Sequence, residues 1–259
     1  VSLFSQQQVA EYRELFAREG YLLLPGVVAG EPLARLGDAL RTEFDRVRRA
    51  GGLFAGGGTI SGHLNCFPGR QSLFVYDALK ETGVFDLVRS LSPQAVRAPN
   101  VGCNLNLPSS SPQNNHIDGY AAEPFMIANV AVVNTTRSNG ALELTPGSHT
   151  REYKYWQFVL AQHRALRIEM KAGDVLLRPS SLWHRGMPNR TRDVRPMLGF
   201  SWEDGGSQLD DPYSIHAGEI AFLPNRYARN FVGRVRERAF AVTPRLGSSY
   251  LFVRSLFTS

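Results

Sequence analysis

From about Ala98 onward the chain is written in short apolar runs separated by Pro, Gly and Asn, and this punctuation restricts its folds more than any other feature. Segments 101–107, 125–134, 141–144, 167–170, 174–178 and 195–202 each read as a strand bounded by turn residues. Many short strands in succession bury their apolar faces as two packed sheets, in a sandwich or jelly roll.

The first hundred residues have a helical texture. Ser5 can cap a helix to about Arg18, with Val9, Tyr12, Leu15 and Phe16 on one face and Gly20 past its end. The stretch 21–25 reads as a short buried strand. A second helix from near Pro32 turns Leu33, Leu36, Leu40, Phe44 and Val47 inward, and a third covers 76–90. Between Gly51 and Gly62 six glycines make a loop, without the Gly-Lys-Ser/Thr of a phosphate loop. The expected architecture is mainly β with flanking helices, one domain over 1–259. Helical support occupies about 5–95, a double-stranded β-helix core about 96–205, and a C-terminal extension 206–259.

Composition removes several classes of function. No run of about 18 apolar residues occurs, so no membrane span or membrane partner is expected. The first five residues lack the basic start and apolar stretch of a secretory signal, and a cytoplasmic protein is expected. Two cysteines, Cys66 and Cys103, are too few for a disulfide framework or a Cys-based zinc site; they read as buried free thiols, with a single bridge between them as the alternative. The formal charge of +6 comes from 26 scattered Arg and 3 Lys, a bias that fits GC-rich bacterial coding better than a nucleic-acid surface.

Three segments carry chemistry. In Asn115-His116-Ile117-Asp118-Gly119, positions i and i+2 of extended backbone point the same way, so His116 and Asp118 can bind one metal ion. His184, in Leu182-Trp183-His184-Arg185-Gly186, follows a strand and can supply a third ligand. Arg195 lies eleven residues further, across a turn of Pro188, Asn189, Arg190 and Thr191, where a hairpin returns it beside His184. Two His and one carboxylate form a facial triad with open positions, characteristic of non-haem Fe(II) oxygenases. A guanidinium grips a carboxylate with two parallel hydrogen bonds, so Arg195 suits the far end of 2-oxoglutarate. Its 1-carboxylate and 2-keto oxygens would take two metal positions, and O2 the last.

The chain resembles the phytanoyl-CoA dioxygenase family of Fe(II)/2-oxoglutarate oxygenases, whose fold is cupin-like. The resemblance is carried by Val9–Pro25, the His-x-Asp turn, Ser138–His149 ("SNGALELTPGSH") and Lys171–Leu198 ("KAGDVLLRPSSLWHRGMPNRTRDVRPML"). It implies that His116, Asp118 and His184 are iron ligands and that Arg195 holds the co-substrate. It puts Asn129 on a strand position where the family often places a large side chain against the co-substrate. Relatives that halogenate lack the carboxylate ligand, which Asp118 supplies here. Nucleic-acid repair relatives carry a second Arg where this chain has Ser201, so a small-molecule substrate is expected.

Other residues have two readings each. Asn104 and Asn106 share one strand face, opposite Cys103, Leu105 and Leu107, as contacts to 2-oxoglutarate or as structural hydrogen bonders. His63, in the glycine-rich loop, is a substrate residue or an exposed bystander. Tyr120 lines the substrate entrance or packs in the core, and His216 is a loop residue with a possible substrate contact. His149 reads as a structural turn, and His163 as a solvated helix position. The expected function is oxidation of a C–H bond, by hydroxylation, ring closure or desaturation, in bacterial secondary metabolism. A sugar-containing antibiotic intermediate is one candidate substrate; a redox-silent metalloenzyme and a non-catalytic binding protein are the rival readings.

Overall fold

Ser5 caps the first helix with a reciprocal pair of hydrogen bonds: its hydroxyl accepts the Gln8 amide and the Gln8 side chain accepts the Ser5 amide. The helix, α1 (Gln6–Glu19), ends at Gly20 in the left-handed conformation (φ 78°). A β-carbon at Gly20 would meet the ring of His149 at 2.4 Å, so His149 is a packing partner of this corner. The computed structural model describes residues 4–51, 61–222 and 231–257. The expected loop over 51–62 lies almost wholly outside the described residues.

Strand β1 (Leu22–Leu24) leads to α2 (Gly30–Arg49), which buries Leu33, Leu36, Leu40 and Phe44. The single helix expected over 76–90 is two, α3 (Leu73–Glu81) and α4 (Val84–Leu91). Gly83 breaks them at φ 83°, a conformation that glycine adopts at little cost. All six strands expected after residue 98 form: β3 (Asn100–Asn106), β4 (Met126–Ala131), β5 (Leu142–Leu144), β6 (Leu166–Ile168), β7 (Val175–Pro179) and β9 (Arg195–Ser201). Three more were not anticipated: β2 (His63–Pro68), β8 (His184–Arg185) and β10 (Ile220–Phe222).

The strands make a double-stranded β-helix. A seven-stranded antiparallel sheet runs β1-β7-β4-β9-β3-β2-β10 and faces a three-stranded sheet, β6-β5-β8. Strands β1 and β2, from the expected helical support, and β10, from the expected extension, all belong to the large sheet, so the three-part division does not follow the sheet.

The outer face of the large sheet packs on the helices through Leu64, Cys66, Val101, Cys103, Leu105, Val130, Leu177, Leu198 and Phe200. Cys66 and Cys103 are free, buried and directly opposed across β2 and β3. Contact with Cys103 and burial push the Cys66 thiol well above its ordinary pKa. A second cluster, including Ala131, Leu144, Ile168, Leu176, Leu182 and Met197, fills one end of the space between the sheets. At the other end that space opens as a cavity. Helix α5 (Tyr155–Leu160) packs against the second of two C-terminal helices, α6 (Phe231–Val242) and α7 (Pro244–Phe257), where the Trp156 amide donates to Ser255 Oγ at 3.0 Å. Ser248 of α7 donates to the Asn114 side chain at 3.1 Å, next to the His-x-Asp turn. Among the described residues no helix is long and apolar enough to cross a membrane.

Candidate metal centre and co-substrate cavity

His116 and His184 are joined by backbone, each amide donating to the other's carbonyl at 3.0 Å. Asp118 is fixed two residues on, its amide donating to the Ser180 carbonyl at 2.8 Å. The next residue must be small, because a β-carbon at Gly119 would meet Ser180 Oγ at 2.7 Å. These constraints bring one ligand atom from each of His116, Asp118 and His184 within 4.8 Å of one another. Asp118 Oδ2 is 3.4 Å from His184 Nε2, and Oδ1 is 3.8 Å from His116 Nε2.

Both imidazoles have their tautomer set by the backbone. His116 Nδ1 lies 2.9 Å from the Asn114 carbonyl, and His184 Nδ1 lies 2.9 Å from the Leu182 carbonyl. A carbonyl oxygen only accepts, so each Nδ1 carries the hydrogen and each Nε2 lone pair is left for a metal. Burial, followed by the nearby Arg178 cation, holds His184 well below its ordinary pKa and so in the neutral form. For Asp118, burial pushes the pKa up, but Arg178 and the two imidazoles outweigh it and hold the carboxyl well below the usual range.

Arg178 was not singled out from the sequence. It projects from β7 and is buried, donating from Nη2 to Asp118 Oδ2 at 2.7 Å and from Nε to Asn129 Oδ1 at 3.1 Å. Asn129 thus holds the arginine that holds the carboxylate. Nη1 of Arg178 is buried with no partner among the described residues.

Arg195 begins β9 at 3% exposure, on the side of the sheet that bears Asn104 and Arg178. The turn before it is built on Asn189, whose side chain donates to the Asn106 and Asp193 carbonyls and accepts from Thr191. Arg195 Nη2 donates to the Gly140 carbonyl at 3.2 Å, and Nε is buried without a partner. Burial lowers its pKa to about 10, which still leaves it cationic at neutral pH. A buried, incompletely partnered cation is costly unless an anion joins it.

The cavity has a volume of about 940 Å³ and is bordered by the triad, Arg178, Arg195, Asn104, Asn129 and His63. His63 is therefore neither a loop residue nor an exposed bystander. It opens β2 at 7% exposure, with Nε2 2.8 Å from the Ser111 carbonyl. Burial pushes its pKa down to about 4. Asn104 borders the cavity and donates to Asn65 at 3.0 Å. Asn106 does not border it: its amide is used by the Met187 carbonyl and Ser110, the structural alternative for that residue. Tyr120 is 72% exposed, neither bordering the cavity nor packed in the core. His216 is also away from the cavity, in a tight turn against the Phe67 ring. His163 follows α5 and stacks on Phe158, where a solvated helix position was expected.

The sequence model of a family described as phytanoyl-CoA dioxygenase (PhyH) matches residues 16–197. The chain belongs to that family. Solved structures similar to this PhyH chain include the epimerase SnoN in complex with Fe3+, alpha ketoglutarate and nogalamycin RO. It is 18% identical at a TM-score of 0.58, over 76% of this chain and 84% of that one. AviO1 from Streptomyces viridochromogenes is 20% identical (TM-score 0.58, over 76% of this chain and 96% of that one). EctD from S. alaskensis, with 2-oxoglutarate and 5-hydroxyectoine, is 18% identical (TM-score 0.56, over 84% of this chain and 86% of that one).

As a PhyH protein the chain is an Fe(II)- and 2-oxoglutarate-dependent dioxygenase. Its residues fit both groups: two free imidazole Nε2 atoms beside a carboxylate suit iron, and the unsatisfied Nε of buried Arg195 suits an anionic co-substrate.

Proposed function

We propose that His116, Asp118 and His184 hold the iron, that Arg195 holds the far carboxylate of 2-oxoglutarate, and that the enzyme oxidises a C–H bond of a small molecule. The observation that carries this reading is the pairing of a preorganised triad with a buried, incompletely partnered arginine in one cavity. A redox-silent metalloenzyme could use the triad but has no need of that cation. With iron, 2-oxoglutarate and O2 bound, the site supplies oxidative decarboxylation of 2-oxoglutarate to succinate, coupled to oxidation of the substrate.

The chain's own contribution is placement. The Asn114 and Leu182 carbonyls orient the two imidazoles, and Arg178 fixes one oxygen of Asp118. The cavity walls then decide which substrate C–H bond is presented. Hydroxylation, ring closure and desaturation all begin from that choice. The reading places the enzyme in the cytoplasm of a bacterium, in secondary metabolism, on a substrate such as a sugar-containing antibiotic intermediate. The neighbour SnoN, from nogalamycin biosynthesis, supports the metabolic part of that assignment.

The test is succinate formation from 2-oxoglutarate under air, with and without candidate substrates. Substrate-stimulated succinate that disappears in His116→Ala is the expected result. Stimulated succinate at near-normal rates in His116→Ala would remove the ligand assignment.

A further inference from the structure

Strands β3 and β9 are neighbours near the middle of the large sheet, and their cavity-facing residues form rows across it. One row is Asn65, Asn104, Met197; the next is Gly102, Gly199, Asn129; a third is Asn100, Ser201, Ile127. In the middle row two glycines stand directly opposite each other.

Glycine inside a strand costs about 0.5–1 kcal/mol relative to alanine, so a facing pair calls for a reason. Backbone conformation is not it, because neither residue is among the glycines with positive φ. A bulge is not it either, since pairing is continuous from Asn100 opposite Ser201 to Asn106 opposite Arg195. Crowding also fails as an explanation. A β-carbon at Gly102 would find its nearest neighbour, the Gly199 carbonyl, at 4.0 Å, and one at Gly199 would find Asn129 Nδ2 at 4.0 Å. What remains is the other recognised use of a strand glycine, close approach of a ligand to the backbone.

The surroundings describe that ligand. Gly102 and Gly199 border the cavity together with Asn65, Asn100, Asn104, Asn129 and Ser201. Asn104 spends one N–H on Asn65 and Asn129 spends its oxygen on Arg178. The remaining amide capacity mixes donors and acceptors, and the Glu203 carboxylate that also borders the cavity adds acceptors, a set that matches hydroxyl groups, each both donor and acceptor. No Phe, Tyr or Trp is among the described cavity residues, so a flat aromatic substrate has no stacking partner. The bare strip spans one strand spacing, about 4.8 Å, close to the width of a six-membered ring. It is also tied to the metal end: Asn129, opposite Gly199, bonds Arg178, which bonds Asp118.

We infer that Gly102 and Gly199 are the floor of a substrate subsite for a neutral polyhydroxylated six-membered ring, a sugar or cyclitol lying flat on the sheet. The inference deepens the oxygenase reading and rests on it for the identity of the cavity. Asn65, Asn100, Asn104 and Asn129 meet the ring's hydroxyls.

The experiment is saturation-transfer NMR on the full chain with 2-oxoglutarate under anaerobic ferrous conditions. The probes are methyl α-D-glucopyranoside and myo-inositol, with cyclohexanol as the ring of equal size and one hydroxyl. Transfer to the polyol ring protons is expected, with little to cyclohexanol, and at least a fivefold loss in Gly102→Val and Gly199→Val. Valine suits an open strand position, and Asn104→Leu provides a second route to the same loss if a glycine variant fails to fold. The inference is overturned if the polyols show no transfer, if transfer is unchanged in the variants, or if cyclohexanol exceeds the polyols. It is overturned equally if the valine variants lose 2-oxoglutarate binding, which would give the floor to the co-substrate. Failure of the oxygenase reading is a separate result, the absence of a ferrous–2-oxoglutarate absorption band in the unmodified protein, whereas the polyol signal reports the subsite alone.

Discussion

The two faces of the large sheet are made by alternate residues of the same strands, yet they do different work. Outward from β3 and β9 point Val101, Cys103, Leu105, Leu198 and Phe200, all in the main core with the helices. Toward the cavity point Asn104, Gly102, Arg195 and Gly199, with Asn129 and Arg178 from β4 and β7. Two facing glycines and two buried arginines are unfavourable choices for a strand, and only the apolar packing behind them can offset that cost. Stability and chemistry should therefore separate by residue parity.

The largest test of this separation is His116→Ala. It should abolish turnover while the metal-free protein keeps its stability to within about 1 kcal/mol, since that side chain is half-buried at the cavity. Calorimetry of the metal-free variant beside a succinate assay checks both halves. On the opposite face, Leu105→Ala should show the reverse, losing about 2–5 kcal/mol by denaturant unfolding because the side chain is fully buried. The affinity of the folded variant for 2-oxoglutarate should stay unchanged; a large loss would show the two faces to be coupled.

His63 sharpens the comparison, being a cavity residue with a stability effect. Its folded pKa of about 4 lies below the ordinary 6.5, so between these values the unfolded chain binds more protons. Stability of the metal-free protein should be fullest above pH 6.5 and fall as pH drops toward 4, by roughly 3 kcal/mol from this residue. The slope should shrink in His63→Gln without vanishing, because His184 is displaced in the same direction. A slope equally steep in the variant would remove His63 as its source.

Arg178→Gln gives the smallest expected change. It removes the guanidinium that orients Asp118, and iron affinity should fall about 10- to 100-fold, as for other outer partners of metal ligands. Metal competition in the dark, without turnover, measures it; unchanged affinity would reduce Arg178 to a packing role.

Much of this site could be read from residue order. Strand geometry makes His116 and Asp118 a pair, but the hairpin expected between His184 and Arg195 does not form: β8 pairs with β5, and β9 with β3 and β4. The turn that Asn189 ties to Asn106 and Asp193 crosses between the sheets, so the two residues meet only as borders of one cavity. Arg178 has a weaker signature, a lone charge inside the apolar strand Val175-Leu176-Leu177-Arg178-Pro179, whose residues are all buried. The glycines before His63 suggest a loop, whereas β2 is held by pairing with β3, a contact no local pattern records. Position in the chain and chemistry single out Tyr120 and His216, yet Tyr120 is exposed, His216 lies against Phe67, and neither borders the cavity. The glycine floor was invisible for a similar reason: Gly102 and Gly199 become a pair only when β3 and β9 are in register.

The most direct test of the central claim is anaerobic titration of the Fe(II)-loaded protein with 2-oxoglutarate, followed by the weak visible charge-transfer absorption of that chelate. The band should appear in the unmodified protein and be lost or strongly weakened at the same concentrations in Arg195→Gln. Iron that binds without any such band, or a band of equal affinity in the variant, would contradict the pairing of this triad with this arginine.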